Sequence, residues 1–195
     1  MARARIGAAD DTLVVAYVGR LAAEKGIGTA IEAMRMASEQ RPGRLVFVCV
    51  GTGPFESEVR RCAPPGSWLP GKLLGDELST AYASSDVFIF PSTTDTFGNV
   101  MLEAMASGIA VLGADVGPTR EIVGEQRGWL APAADAAAFA NAIVRAVDDR
   151  EQLRRAQQSA LEFAQRCTWE RVWDSLIGDY LLLHRQDSVA VAATR

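Results

Sequence analysis

The residues best equipped for chemistry lie in PSTTDTFGNVMLEAMASG, positions 91 to 108. Asp95 stands where a strand passes into a loop, Gly98 lets backbone approach a ligand closely, and Asn99 opens a helix whose first N–H groups need acceptors. Glu103 follows one helical turn further on. Either carboxylate can accept hydrogen bonds from sugar or ribose hydroxyls; equally, Asp95 can cap a loop and Glu103 can be a solvent-facing acid. Paired acids also suit glycoside hydrolysis, but that chemistry needs two carboxyls facing each other across a bond. A spacing that runs through a loop and a helix start does not fix their separation, so a hydrolase is disfavoured. A second cluster follows an apolar run directly: Gly19, Arg20 and, after a short acidic turn, Lys25. Two cations at a strand end suit a diphosphate; the plain alternative is that they pair with Glu24 or face solvent. GTGP at 51 to 54 can be no more than a turn, and neither glycine-bearing loop carries the full dinucleotide fingerprint, which disfavours a Rossmann dehydrogenase.

These groups need a scaffold, and the hydrophobic pattern supplies one. Leu13 to Val18 reads as a strand ending at Gly19, followed by a helix from about Gly26 to Glu39. Leu45 to Val50 repeats the pattern, with GTGP and a polar segment containing Glu56, Glu58, Arg60 and Arg61 after it. Beyond the Pro and Gly punctuation of PPGSWLPG, a helix is predicted over Asp76 to Ser84 and a buried strand over Val87 to Phe90. Asn99 to Ser107 forms a helix with Val100, Met101, Ala104 and Met105 on its apolar side and Gly108 as its stop. Strands at Ile109 to Gly113 and, weakly, Trp129 to Ala131 complete the set. Continuously apolar strands separated by helices predict an α/β fold with a parallel sheet covered on both faces. Three further helices are expected at Asp135 to Val147, Asp149 to Ala164 and Trp169 to Leu183, with acidic or threonine N-caps. The last residues, 184–195, lack periodicity and are expected to fray.

Composition narrows the function classes. The 195 residues include 20 Lys or Arg and 24 Asp or Glu, a net charge of −4, so no basic surface for nucleic acid or anionic membrane is indicated. Cys49, Cys62 and Cys167 are an odd set with no C-x-x-C spacing and one histidine, His184, in the whole chain. Neither a disulfide framework nor a zinc site is predicted, and a reducing cytoplasm fits best. No apolar run approaches the ~20 residues that span a bilayer. Cys49 and the tryptophans Trp129 and Trp169 are expected in the core, while Trp68 is a candidate for lining a nucleobase pocket.

The ordered set VAYVGRLAAEKG at 15–26, VGTGP at 50–54, ELSTAYASSDVFIFPSTTDTFGNVMLEAMASGIAVLGADVGPTREIV at 77–123, GWLAP at 128–132 and WERVWDSLIGDY at 169–180 resembles the C-terminal, donor-binding domain of GT-B retaining glycosyltransferases of family 4. The resemblance covers nearly the whole chain. It implies a single Rossmann-like nucleotide-sugar-binding domain over 1–195, with C-terminal helices from about 135.

The family's roles carry over where its motifs match. Gly19, Arg20 and Lys25 would bind the diphosphate, Arg20 and Lys25 stabilising the leaving group. The acid-x7-acid motif falls on Asp95, for hydroxyls of the donor sugar, and Glu103, for the ribose. Amides around Phe97, Gly98, Asn99 and Val100 would complete the sugar and phosphate contacts. Gly51 and Gly53 would shape the nucleotide side, and Pro70, Gly71 and Lys72 would border the base. Asp95 is one methylene shorter than the glutamate common at its position, and Thr52 replaces a frequent aspartate. The donor implied is a nucleoside-diphosphate sugar, UDP- or GDP-linked ahead of ADP-linked, with no cofactor and no metal. Complete enzymes of this type are about twice as long, so the chain is expected to be a domain or fragment lacking the N-terminal acceptor-binding domain, against which Trp173, Leu176 and Leu183 would pack. Any peripheral membrane contact would come through that half. The isolated domain is then expected to be inactive. The competing functions are an epimerase-like or sugar-phosphate-transferring enzyme and a stand-alone nucleotide-binding or interaction domain.

Overall fold

A computed structural model describes residue 3 and residues 6–95 and 98–192, with side chains as far as 182. Six parallel strands form one sheet: β1 (Leu13–Val18), β2 (Leu45–Val50), β3 (Trp68–Gly71), β4 (Val87–Phe90), β5 (Ala110–Ala114) and β6 (Gly128–Ala131). Their order is β3-β2-β1-β4-β5-β6. β1 pairs with β2 over its full length, Leu13 opposite Leu45 through Val18 opposite Val50, and with β4 on its other side. The chain therefore winds outward in opposite directions from β1. The crevice between the carboxyl ends of β1 and β4 is the switch point at which open α/β sheets bind ligands.

The strands are apolar at every position because both faces are covered. Leu13, Val15 and Tyr17 enter one buried layer and Val14 and Ala16 the other. On the first face lie α1 (Ile27–Gln40), α2 (Glu56–Cys62) and α6 (Ala136–Asp148), contributing Ala30, Met34, Val59, Phe139 and Ile143. On the second lie α3 (Gly75–Ala83), α4 (Asn99–Ala106) and α5 (Gly117–Val123), contributing Tyr82, Met101, Met105 and Val123. The helix α7 (Arg150–Ala164) gives Leu153 and Ala156 to one layer and Ala160 to the other. The predicted parallel α/β architecture is the observed one. The acidic caps also stand: Asp135 accepts from the Ala138 amide at 2.9 Å and Asp149 from the Gln152 amide at 2.8 Å.

Three readings need correction. PPGSWLPG, taken as punctuation, contains β3, an edge strand whose register against β2 shifts between Val48 and Val50. Pro70 is tolerated because edges and irregularities do not require every ladder donor. Trp169, expected as a packing anchor, is 75% exposed. It opens α8 (Trp169–Ala192), on which every side chain from Trp169 to Leu182 is exposed. That helix also continues through the segment expected to fray. No Gly or Pro follows Gly178, and propagation adds one backbone bond per residue fixed. No helix among the described residues is long and apolar enough to cross a membrane.

Candidate functional site

The loop after β1 is built to bring backbone close to backbone. A Cβ on Gly51 would lie 1.9 Å from the Gly19 carbonyl oxygen, and one on Gly53 would lie 2.4 Å from that of Leu21. Without those side chains the loops after β1 and β2 join: the Gly19 amide donates to the Val50 carbonyl at 3.0 Å and the Leu21 amide to the Thr52 carbonyl at 3.0 Å. The Gly51 amide in turn donates to the Gly71 carbonyl at 2.8 Å, linking in the end of β3. Tyr17, buried at the end of β1, fastens the bend from beneath by donating its hydroxyl to the Arg20 carbonyl at 2.9 Å. Burial first, and then the neighbouring Asp95 and Glu24 carboxylates, push the Tyr17 phenol far above its ordinary pKa, so it remains a donor.

Two adjoining grooves open at this edge and share Val18, Gly19 and Arg20. The larger, about 520 Å³, runs between Gly19 and Arg20 on one side and Gly51, Thr52, Gly53, Pro54, Lys72 and Leu73 on the other. The smaller, about 260 Å³, lies toward β4 and gathers Arg20, Lys25, Phe90, Ser92, Asp95 and Val100. Residues up to 83 positions apart in sequence, Tyr17 and Val100, thus surround a continuous, open trough at the switch point.

Its charges are arranged in two ways. Lys25 Nζ lies 2.7 Å from Asp95 Oδ1, both side chains about a quarter to a third exposed. The other carboxylate oxygen, Asp95 Oδ2, accepts from the Ser92 hydroxyl at 2.5 Å. Desolvation works to raise the Asp95 pKa, but the hydrogen bonds from Lys25 and Ser92 and the Lys25 charge together outweigh it, holding the carboxyl below its ordinary range. Arg20 is different: its side chain is 63% exposed and, among the described residues, meets only Glu24, at 3.2 Å. An exposed i,i+4 pair of this kind is worth well under ~1 kcal/mol, so an anion with better geometry can take Arg20 over.

The start of α4 faces the same side. Gly98 adopts φ +58° and caps the helix without any side-chain hydrogen bond, and among the described residues no side chain accepts from the first amides of α4. Val100 lines the smaller groove, and Glu103, three residues on, projects from the same side of the helix. Glu103 is exposed, and its Oε2 accepts from the Tyr82 hydroxyl at 3.2 Å.

The structure therefore brings Gly19, Arg20, Lys25, Gly51, Gly53, Lys72, Asp95 and Val100 onto the trough. Gly98 and Asn99 form the adjacent helix start, with Glu103 a turn away. Pro70 lies half-buried within β3, and Gly71 acts through its carbonyl. Phe97 lies outside the described residues. Trp68 lines a separate cavity of about 150 Å³ with Ile6, Asp76, Glu77 and Thr80, touching the trough only through Leu73. Tyr17, Ser92 and Tyr82 escaped sequence reading because their partners are fixed by the fold. Only the strand-end position of Tyr17 and the Pro91-Ser92 stop after β4 pointed toward the site. Cys49 is buried and its thiol is pushed up to about 12 by desolvation, a core group and not a nucleophile. Among the described residues no three His, Cys, Asp or Glu side chains gather to hold a metal ion.

This arrangement has relatives. A GDP-mannose-dependent alpha-mannosyltransferase of Mycolicibacterium smegmatis is 34% identical over 173 residues, 88% of this chain and 44% of that protein. A D-inositol 3-phosphate glycosyltransferase of Stackebrandtia nassauensis is 32% identical over 92% of this chain and 44% of its own length. Among solved structures, sucrose-phosphate synthase of Thermosynechococcus elongatus superposes with a TM-score of 0.75 at 31% identity, over 97% of this chain and 49% of that one. The chain thus spans less than half the length of these relatives, one Rossmann-type half of the two-domain GT-B architecture. Residues 12–149, the whole sheet and the whole trough, match the family described as Glycosyl transferases group 1, and the chain belongs to that family.

Proposed function

We propose that this chain is the donor half of a retaining glycosyltransferase and that its trough holds a nucleoside-diphosphate sugar. The observation that carries the reading is the convergence of Arg20, Lys25 and Asp95 with the glycine-built loop at the β1/β4 switch point. The diphosphate lies across Gly19, where Arg20 leaves Glu24 for it and Lys25 and the amides of Asn99 and Val100 supply further donors. Asp95, already fixed by Lys25 and Ser92, accepts from hydroxyls of the sugar. Glu103 accepts from the ribose, and the base extends along the larger groove toward Gly51, Gly53 and the Pro70–Lys72 passage. The GDP-mannose dependence of the mycolicibacterial relative supports a nucleoside-diphosphate sugar as the ligand class.

Transfer breaks the bond between the anomeric carbon and the diphosphate oxygen while the acceptor hydroxyl oxygen bonds that carbon on the same face. The acceptor proton passes to the departing diphosphate. Negative charge grows on the leaving oxygen, so preplaced cations and helix amides lower the barrier more than they favour the ground state. The acceptor and the closing surface belong to a second domain, which makes the 195-residue chain a binding module until it is joined to that partner. The cytoplasm, where nucleotide sugars and reduced cysteines coexist, is its proposed location.

Calorimetric titration of the chain with UDP, GDP, ADP and their sugars tests this directly. We expect one nucleotide class to bind, and Arg20→Ala to weaken that nucleoside diphosphate about tenfold, the value of one charge-assisted contact. Unchanged affinity in a folded Arg20→Ala protein overturns the diphosphate assignment.

A further inference from the structure

Glu103 presents a problem that its own position does not solve. An exposed glutamate on a helix has three side-chain torsions to fix, an entropic cost that must be met before it can make one well-aimed contact. Among the described residues its carboxylate takes one side-chain hydrogen bond, from Tyr82. Tyr82 is as rigid as Glu103 is free. It is 4% exposed, sits near the end of α3, and its ring packs against Phe88 of β4 with centroids 6.1 Å apart and planes tilted by 58°. Phe88 stacks in turn on Phe90 at 6.1 Å, and Phe90 lines the smaller groove. A ladder of aromatic rings therefore connects the groove wall to the one hydroxyl that holds Glu103. Burial first, then the Glu103 charge and its hydrogen bond, raise the Tyr82 pKa well above the ordinary phenol value, which keeps the proton on the donor.

We propose that Tyr82 is a positioning residue for Glu103: its hydroxyl occupies Oε2 and leaves Oε1 aimed at a ribose hydroxyl, so that Tyr82 sets the preference for ribonucleotides over deoxyribonucleotides. The inference rests on the donor-groove reading above and assigns the discrimination to a residue that never touches the ligand. A carboxylate accepts through both oxygens, so one bond to Tyr82 leaves full accepting capacity on the other. Removing the Tyr82 hydroxyl leaves Glu103 charged and present but unaimed.

The test compares binding of UDP or GDP, whichever the wild type prefers, with its 2′-deoxy and 3′-deoxy analogues, for wild type, Tyr82→Phe, Glu103→Ala and the double variant. Tyr82→Phe keeps the ring and its packing on Phe88, and a thermal melt verifies the fold. We expect Tyr82→Phe to lose about fivefold in affinity for the ribonucleotide and none for the analogue lacking the contacted hydroxyl, collapsing the wild-type ratio. In the Glu103→Ala background the second substitution adds nothing. A ribose-to-deoxyribose ratio that survives Tyr82→Phe overturns the proposal, even if all affinities fall together, because a purely structural tyrosine acts on both ligands alike. A wild type that binds nucleoside diphosphates without distinguishing ribose from deoxyribose overturns it too while leaving the donor groove intact. A wild type that binds none of them removes the donor groove itself.

Discussion

Helices α4 and α6 both begin at the carboxyl edge of the sheet, and they end their first turns in opposite ways. Asp135 closes α6 with its own side chain, accepting from Ala138 at 2.9 Å. Gly98 closes α4 with backbone alone, at φ +58°: its carbonyl accepts from the Met101 amide at 2.8 Å, and it has no side-chain acceptor to offer. The two helices have the same orphan amides and the same positive end of a dipole. Asp135 answers one of these amides on α6, whereas among the described residues no side chain does so on α4. The same contrast divides the charges: Asp86, at the far edge of β4, is held by Arg3 at 3.0 Å and the Val14 amide at 2.7 Å, whereas among the described residues Arg20 meets only an exposed glutamate. Side chains that complete the backbone fasten the fold, and the donors without such partners among the described residues are those assigned to the proposed ligand.

The most severe way to break this comparison is to give α4 the cap that α6 has. Gly98→Asp places a carboxylate at the helix start, in a left-handed conformation that Asp and Asn tolerate better than most residues. The new Cβ meets the ends of two flexible side chains, Met101 Cε at 2.2 Å and Ile122 Cδ1 at 3.2 Å, which can move. Its charge would oppose the diphosphate at close range, and we expect affinity for the nucleoside diphosphate to fall on the order of a hundredfold. Gly98→Asn, similar in shape but neutral, should lose far less, so the difference between the two isolates the charge. Equal losses, by titration of folded protein, would mean that no anion sits at the start of α4.

The reverse substitution is milder. Asp135→Ala removes a cap and nothing else, so unfolding in urea should show a stability loss of about 1 kcal/mol. Nucleotide affinity should not change. Any loss of binding in Asp135→Ala would mean that α6 takes part in the site and that the two helix starts are not functionally distinct.

How much of this division is legible in the sequence depends on distance along the chain. Leu13–Val18, Leu45–Val50 and Val87–Phe90 announce themselves as strands because burial on both faces forces unbroken apolar runs. Asp135 and Asp149 announce themselves as caps because an N-cap and its amide are local. The glycines and cations at 19 to 25 and 51 to 53 are legible as loops at strand ends, and the ordered motifs identify their family. β3 hides because WLPG carries a Pro and a Gly and pairs only along an edge, and α5 hides because seven residues beginning GP give no helical period. Ser92 and Tyr82 hide for a deeper reason. Ser92 reaches its carboxylate three residues on through a loop shape, and Tyr82 reaches one 21 residues away through packing on Phe88, neither of which local periodicity encodes.

The smallest expected effect concerns the acid within the trough that is already partnered. Asp95 has a folded-state pKa below its ordinary value of 3.8, with desolvation opposing and the Lys25 and Ser92 bonds prevailing. A depressed carboxylate stabilises the fold at pH values above its unfolded pKa, and that contribution disappears as pH falls through the lower folded value. Wild type should therefore lose stability more steeply than Asp95→Asn as pH is taken from about 5 down toward 2, and the two should run parallel from pH 5 to 8, where Asp95 is ionised in both folded and unfolded chains. Because the pair is partly exposed, high salt should shrink the difference. Bound nucleoside diphosphate should shrink it as well, since a phosphate that recruits Lys25 competes with Asp95 for the same ammonium. An acid limb identical in the two proteins would show that Lys25 and Asp95 are not paired in the empty trough, and would place Lys25, like Arg20, among the groups left open for the ligand.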